Sequence, residues 1–334
     1  MKNKLLISTA LVTSLVAAQT ASYADAKVSG SVEYTYNSVE DTTSDSAGSI
    51  GSESTVKFEG TKDSDIGTIS TSFKLEEAAI EAPVIKITNG NTTVGLGADF
   101  APNLSATNIP SIGDRAGTVG KNIGSAAIET VEAGGTIKNG IGLMFAQKFD
   151  GGQLSIYATP DVETTQSGAS DSGIDTDAGK GAGSAYNIVY SGNMGVDGLS
   201  IFAGINDKAK KNNRQDGSAK NLGVSYNFGS LSVGVSTANV ETSDITADQD
   251  DLDTDHIAVA YAVNDNFSVG VTYAETDGKI DNADMTSEEE TTMVSLGYNL
   301  GGLGLQVSYV EIDNVGGDSA SDGDAFQIRT VGKF

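Results

Sequence analysis

Apolar and polar residues alternate along most of this chain with a period of two. In the segment 27–37, Val28, Val32 and Tyr34 share one parity, while Ser29 and Glu33 share the other. Such alternation places the two sets of side chains on opposite faces of a β-strand. The pattern predicts sixteen strands, over residues 27–37, 53–61, 67–76, 82–88, 91–97, 134–148, 153–159, 185–191, 199–206, 219–228, 231–241, 256–263, 267–276, 291–299, 303–312 and 324–334.

The connections between these strands alternate between short and long. The short ones are rich in Gly, Asn and Asp, as hairpin turns are, and include residues 150–152, 229–230, 264–266 and 301–302. The long ones are polar and include residues 161–184, 207–218, 242–255, 277–290 and 313–323. An even number of strands with all short turns at one end is typical of an up-and-down barrel. The fold class is therefore all-β, a 16-stranded antiparallel barrel.

The composition decides what such a barrel encloses. Hydrophobic residues make up 38% of the chain, which excludes a polytopic helical membrane protein but not a membrane barrel. Aromatic residues recur at strand ends on the apolar parity, at Tyr34 and Tyr36, Tyr226 and Phe228, Phe267 and Tyr273, and Phe326 and Phe334. Aromatic girdles at both edges favour lipid outside and water inside over the alternative, a soluble barrel with an apolar interior.

The first 26 residues have the organisation of a cleaved signal peptide. Lys2 and Lys4 precede an apolar stretch, residues 5–18, and Ala24 and Ala26 are the small residues that a signal peptidase requires. The alternative, an N-terminal membrane anchor, needs a longer apolar stretch. We therefore expect a signal peptide over 1–26 and a barrel domain over 27–334.

Charge and residue usage exclude several functions. With 20 basic and 45 acidic residues, the net charge of −25 opposes binding to nucleic acid. The chain has no Cys, which excludes disulfides and thiolate metal sites. No nucleophile elbow, phosphate-binding loop or dinucleotide fingerprint occurs, and the single histidine, His256, is expected where a loop enters a strand. We expect no enzymatic activity, no catalytic residues and no cofactor.

The leader, the sixteen strands, a very long loop after the fifth strand and a C-terminal strand that ends on Phe resemble a Gram-negative general diffusion porin over essentially the whole chain. The resemblance implies an outer-membrane channel for passive diffusion of small hydrophilic solutes and ions. It also implies a homotrimer in outer-membrane lipid, short periplasmic turns, long extracellular loops and a third loop folded into the lumen. The aromatic terminal strand would be read by the barrel assembly machinery through Phe326, Ile328 and Phe334.

The segment 98–133 is the candidate for that constriction loop. A connection of this length without structure of its own is usually functional or disordered. It contains apolar residues such as Ile109, Ile112 and Val119, which need a surface to pack against; the alternative is a mobile extracellular loop. Its charged residues, which would line one side of the pore, are Asp99, Asp114, Arg115, Lys121, Glu129 and Glu132.

Basic residues are expected to face this loop from the barrel wall. With the apolar parity facing lipid, the alternation sends Lys57, Lys74, Lys86 and Arg329 inward. Basic residues opposite carboxylates across a narrow pore create a transverse field that selects among ions and dipolar solutes. The alternative is that each is simply a solvated lumen residue.

Two predicted loops are strongly acidic. Their carboxylates could chelate calcium, or they could form a solvated mouth that concentrates cations, which is the basis for expecting a cation-preferring pore. The runner-up function is a surface adhesin or structural barrel with calcium-binding loops and a blocked lumen. The residues concerned are Asp244, Asp248, Asp250, Asp251, Asp253 and Asp255 in one loop, and Asp277, Asp281, Asp284, Glu288, Glu289 and Glu290 in the other.

Overall fold

Sixteen antiparallel strands form the barrel in the computed structural model. The described residues are 25–41, 45–76, 79–97, 104–105, 109–112, 119, 125–127, 130–131, 142–159, 184–208, 216–243 and 249–334. The strands are β1 (Asp25–Asp41), β2 (Asp45–Ser64), β3 (Gly67–Glu76), β4 (Ala79–Asn89), β5 (Thr92–Gly97), β6 (Gly142–Phe149), β7 (Gly152–Thr159), β8 (Ala185–Gly192), β9 (Leu199–Lys208), β10 (Asp216–Phe228), β11 (Leu231–Ser243), β12 (Gln249–Ala262), β13 (Phe267–Ile280), β14 (Glu289–Asn299), β15 (Leu303–Asp313) and β16 (Gly323–Lys333).

The sheet closes on itself through β1 and β16. Val32 lies opposite Gly332 and Tyr36 opposite Ile328, so the first and last strands pair along most of their length. The last residue extends this seam, because the backbone N–H of Phe334 donates to the carbonyl of Gly30 and the N–H of Gly30 donates to the carbonyl of Phe334. The predicted 16-stranded antiparallel barrel is confirmed.

Each strand turns its apolar parity outward. On β12, Ile257, Val259 and Tyr261 are exposed on the outer face while His256 and Ala258 are buried on the inner one. The same division holds around the ring, where exposed outer side chains include Val28, Tyr34, Phe145, Ile156, Ile205, Leu222, Phe228, Val235, Val271, Leu296, Tyr298 and Tyr309. A continuous apolar outer surface of this kind is suited to lipid.

Several strands run further than expected at the end of the barrel that carries the long connections. The sequence predicts acidic loops over 242–255 and 277–290, but Asp250 to Asp255 belong to β12 and Asp277 belongs to β13. The loop prediction is wrong for these residues because their acidic composition is typical of a loop while their period of two is that of a strand. Asp251, Asp253 and Asp255 alternate with inward residues exactly as apolar residues do elsewhere, and their carboxylates take the outward positions.

Smaller differences concern single elements. His256 lies inside β12, and not at a loop junction as expected, with its Nδ1 3.4 Å from Oγ of Ser236. The sixth strand begins at Gly142, and residues 134–141 of its expected range lie outside the described residues. Two-residue strands also occur at Leu104–Ser105, Thr130–Val131 and Ala283–Asp284. Within the described ranges, no helix is long and apolar enough to cross a membrane.

Candidate functional site in the barrel lumen

Described residues of the connection between β5 and β6, residues 98–141, contact the inner wall of the barrel. Ile109 is buried against Ala258 of β12. Pro110 and Ile112 lie against inward-facing glycines: a Cβ at Gly234 would be 2.7 Å from Pro110 Cδ, and one at Gly297 would be 2.7 Å from Ile112 Cγ2. We refer to Gly234, Ala258, Gly270 and Gly297 as the small-residue seat. These residues leave room on β11 to β14 for the connection to approach the wall.

A second contact lies further along the same wall. Val119 is buried in an apolar cluster with Met293 of β14 and Val310 and Ile312 of β15. Ala325 of β16 completes the buried cluster. These residues face inward, where a water-filled barrel would otherwise place polar side chains. Their burial therefore depends on the connection that covers them.

The third contact is polar and lies at the long-connection end. Ser125, Ala126 and Ala127 donate hydrogen bonds to the carboxylate of Glu289, the first residue of β14. The seat lies near the short-turn ends of β11, β13 and β14, so the described parts of the connection contact the wall at both ends of the barrel. We call the inner surface of β9–β15 the seat wall.

The inner surface of β16 and β1–β4 carries charged side chains, and we call it the charged wall. Lys57 of β2 and Lys74 of β3 are direct cross-strand neighbours on its inner face. Each has a carboxylate partner on its own strand: Lys57 Nζ lies 2.8 Å from Glu59, and Lys74 Nζ lies 2.8 Å from Glu76. The wall thus carries carboxylates beside the basic residues that strand parity predicts there.

Arg329 and Glu33 form the strongest ion pair described on this wall. The guanidinium of Arg329 on β16 donates from Nε and Nη2 to the two carboxylate oxygens of Glu33 on β1, each at 2.6 Å. Both side chains are mostly covered, with 24% and 20% of their surfaces exposed. A bidentate pair fixes geometry as well as charge. It also joins the first strand to the last.

Two recesses border the charged wall. The larger, of about 810 Å³, lies near the short turns and is lined by Glu33, Glu53 and Arg329 of the charged wall, by residues of β13–β15 such as Gly297, and by Ile112 of the long connection. The other, of about 350 Å³, is lined by Lys27, Lys57, Glu59 and Lys86 together with hydroxyls of β2 and β3. The larger recess therefore places Ile112 of the long connection beside the space that the Glu33–Arg329 pair borders.

The structure places only some of the predicted site residues. Lys57, Lys74, Lys86 and Arg329 lie on the charged wall as strand parity predicts, and Phe326, Ile328 and Phe334 lie at or beside the seam. Whether they set the constriction or direct assembly stays a prediction. The charged residues of the long connection lie outside the described residues, and these are Asp99, Asp114, Arg115, Lys121, Glu129 and Glu132.

Calcium binding by the acidic segments also stays a prediction. Among the residues that the structure describes, no group of three or more His, Cys, Asp or Glu side chains is arranged to hold a metal ion. Asp251, Asp253 and Asp255 point outward from alternate positions of β12. Side chains two residues apart on an extended strand diverge along it, whereas calcium sites usually gather ligands from a tightly turned loop.

Sequence reasoning missed the small-residue seat and Glu289. The signal for the seat was present, since Gly234, Gly270 and Gly297 occupy the inward parity near strand ends, but a glycine in a strand does not reveal what approaches it. Glu289 was included among loop carboxylates because it lies within three consecutive glutamates. Extending β14 by parity to residue 289 would have distinguished it, since it alone of the three faces inward.

Comparisons with known proteins agree with this architecture. A family model described as Gram-negative porin matches residues 6–331. No curated protein sequence matches the chain. The fold is similar to that of an anion-selective porin from Comamonas acidovorans, with a TM-score of 0.66 at 16% identity over 93% of this chain and 99% of that one.

Two further structures show the same fold at low identity. The trimer form of OmpT, an outer-membrane protein of Vibrio cholerae, aligns with a TM-score of 0.61 at 12% identity over 92% of this chain and 99% of that one. A triple mutant of Rhodopseudomonas blastica porin aligns with a TM-score of 0.60 at 14% identity over 93% and 100% of the two chains.

Proposed function

The chain belongs to the Gram-negative porin family, and we propose that its barrel is a water-filled channel for passive diffusion of small hydrophilic solutes and ions, with a preference for cations. Membership of the family places the barrel in the outer membrane. The observation that carries the proposal is the division of the lumen. Described parts of the long connection contact the seat wall, while a recess of about 810 Å³ is lined by residues of both walls and a second of about 350 Å³ lies along the charged wall.

The constriction is proposed to lie between these two surfaces. Ile112 is held at the small-residue seat and also borders the recess that contains Arg329 and Glu33. The segment 98–133 would supply one side of the pore through Asp114 and its other charged residues. Ions that pass between two charged surfaces a few water diameters apart experience an electrostatic field that bulk water screens poorly.

The cation preference rests on the distribution of charge. The chain carries a net charge of −25. Outward carboxylates accumulate where the strands extend past the apolar belt, for example Asp255, Asp277 and Glu290. This rim raises the local cation concentration at the entrance, whereas the paired charges of the inner wall largely cancel one another. The preference is therefore expected to weaken as salt screens the rim.

We also propose a homotrimer that the barrel assembly machinery inserts into outer-membrane lipid. The OmpT structure from Vibrio cholerae is described as a trimer, and the exposed apolar belt offers surface for neighbouring barrels as well as for lipid. Phe334 supports a role for the terminal strand in assembly. Its backbone completes the seam with Gly30, and its ring occupies the space that a side chain at residue 30 would need.

Planar-bilayer recording of the purified protein tests the channel directly. An open porin gives stepwise, ohmic conductance, and its reversal potential in a salt gradient has the sign of a cation-preferring pore at low salt. A protein that inserts but does not conduct would contradict the proposal and favour an adhesin or structural barrel with a blocked lumen. Stepwise conductance with an anionic reversal potential would retain the channel and reject the cation preference.

A further inference from the structure

Glu289 is completely buried, although it is a carboxylate on the inner face of the barrel. Its relative exposure is 0%. The flanking Glu288 and Glu290 are exposed, because β14 begins here and alternate residues face outward. A buried carboxylate is costly unless hydrogen-bond donors surround it. Its partners therefore indicate what it does.

The donors come mainly from the long connection. Oγ of Ser125 donates to Oε1 at 2.7 Å, and the backbone N–H of Ala126 donates to Oε2 at 2.8 Å. The N–H of Ala127 donates to Oε1 at 3.2 Å. Three successive residues thus turn toward one carboxylate. Hydrogen bonds to an ionised acceptor are about twice as strong as neutral ones.

A further donor comes from a different connection. The N–H of Gly316, in the turn between β15 and β16, donates to Oε2 at 2.8 Å. Gly316 has a φ of 64° and Gly317 a φ of 79°, a left-handed conformation that glycine adopts without strain. The carbonyl of Gly317 in turn accepts from Thr286 and Ser287, just before β14. Glu289 therefore links an internal segment to a surface turn.

We infer that Glu289 is a positioning residue for the pore: its carboxylate holds residues 125–127 of the long connection against the seat wall and couples their position to the turn that contains Gly316. We call this set of hydrogen bonds the Glu289 anchor. The inference rests on the proposed channel function and extends it to the residue that keeps the constriction in place. Apolar contacts at the small-residue seat fix the position of the long connection near the short-turn end of the barrel. The Glu289 anchor fixes its position near the opposite end.

The test uses Glu289→Gln, with Glu290→Gln as its matched control. Both variants remove one negative charge from adjacent residues, but only the first changes an anchor acceptor. An amide has one acceptor oxygen, and its NH₂ group faces the N–H donors of Ala126 or Gly316. Loss of charge-assisted bonds of this kind is expected to raise the population with a displaced connection about tenfold or more.

Two readouts separate this inference from the channel proposal. Trypsin digestion of the folded barrel in detergent measures exposure of the long connection, which contains Arg115 and Lys121. Cleavage there is expected to be about tenfold faster in Glu289→Gln than in the wild type or Glu290→Gln, because cleavage follows the open population. Bilayer recording should then show increased open-channel noise and additional conductance levels in Glu289→Gln alone.

The possible results have distinct meanings. Equal cleavage rates in the two variants overturn the anchor, whatever the channel does. Faster cleavage of Glu289→Gln in a protein whose wild type does not conduct supports the anchor and rejects the channel. If Glu289→Gln does not fold, Ser125→Ala removes a single donor without changing the barrel. It should increase cleavage and noise in the same direction by a smaller factor, and unchanged behaviour would overturn the anchor.

Discussion

The two inner walls of the barrel obey the same alternation but carry different chemistry. On the seat wall, the inward positions include small or apolar residues such as Gly297 and Met293, which described parts of the long connection contact, beside uncharged polar residues such as Ser308. On the charged wall, inward positions hold Lys57, Lys86 and Glu33, which border open recesses. Strand periodicity decides only which face a residue occupies. The identity of the inward residues then decides whether that part of the wall contacts the long connection or borders a recess that is open to solute.

The largest expected effect follows from filling the seat. Gly297→Leu would place a side chain where Ile112 now lies, since a Cβ there would already be 2.7 Å from Ile112 Cγ2. Overpacking of this kind typically costs about 1–3 kcal/mol. We expect a lower midpoint of unfolding in denaturant and an altered single-channel conductance.

Gly51→Leu is the matched control for this change, because a Cβ at Gly51 on β2 has no neighbour within 4 Å. It should leave the unfolding midpoint close to wild type. If the two variants behave alike, the seat does not determine the position of the connection, and the contrast between the two walls loses its main support.

The features of the fold that could be predicted from the sequence are those that depend on neighbouring residues. The strands, their inward parity and the short turns were predictable, because each depends on a local period or on turn residues such as Gly229, whose φ is 83°. The seat was not predictable, because the partner of Gly234 lies more than a hundred residues away in sequence, at Pro110.

The charged wall shows a second limit of sequence reasoning. Lys57, Lys74 and Arg329 were correctly placed on the inner face, but parity does not tell which charges pair. The Glu33–Arg329 pair depends on the register across the seam, and this register is a property of the closed barrel. The acidic strand extensions were missed for the opposite reason, since their period of two was visible at Asp251, Asp253 and Asp255.

The next largest effect is expected on ion selectivity, from removal of the carboxylate that pairs with Arg329 on the charged wall. Glu33→Gln leaves the guanidinium of Arg329 without its bidentate carboxylate and adds one net positive charge to the lumen. We expect the cation-to-anion permeability ratio to fall roughly threefold at low salt, since an added positive charge in a confined pore is poorly screened. Reversal potentials in a salt gradient measure the ratio.

Glu40→Gln supplies the comparison for that variant. Glu40 lies on the same strand opposite Asp324, is exposed and belongs to the acidic rim. It should lower the ratio less, and the difference should disappear at high salt. A Glu33→Gln pore with unchanged selectivity would mean that solutes do not pass along the charged wall.

The smallest effect is expected from Asp114→Asn in the long connection. If Asp114 faces the charged wall, its loss should lower the cation-to-anion permeability ratio roughly twofold at low salt. Asp255→Asn, an exposed outward carboxylate on β12, is a better control than Asp250. Asp250 accepts hydrogen bonds from Asp281 and Thr242, so its replacement would also disturb local structure. A larger shift for Asp255→Asn would exclude Asp114 from the constriction.

The seam between β1 and β16 has a consequence for the order of folding. Every other pair of neighbouring barrel strands is consecutive along the chain, whereas Glu33 and Arg329 are 296 residues apart. Closing a loop of that length costs about 5 kcal/mol of chain entropy, against about 1 kcal/mol for a short hairpin. Hairpins should therefore form first and the ring should close last. Until then the edges of β1 and β16 both remain open to other chains, and the time spent in that state sets the risk of aggregation.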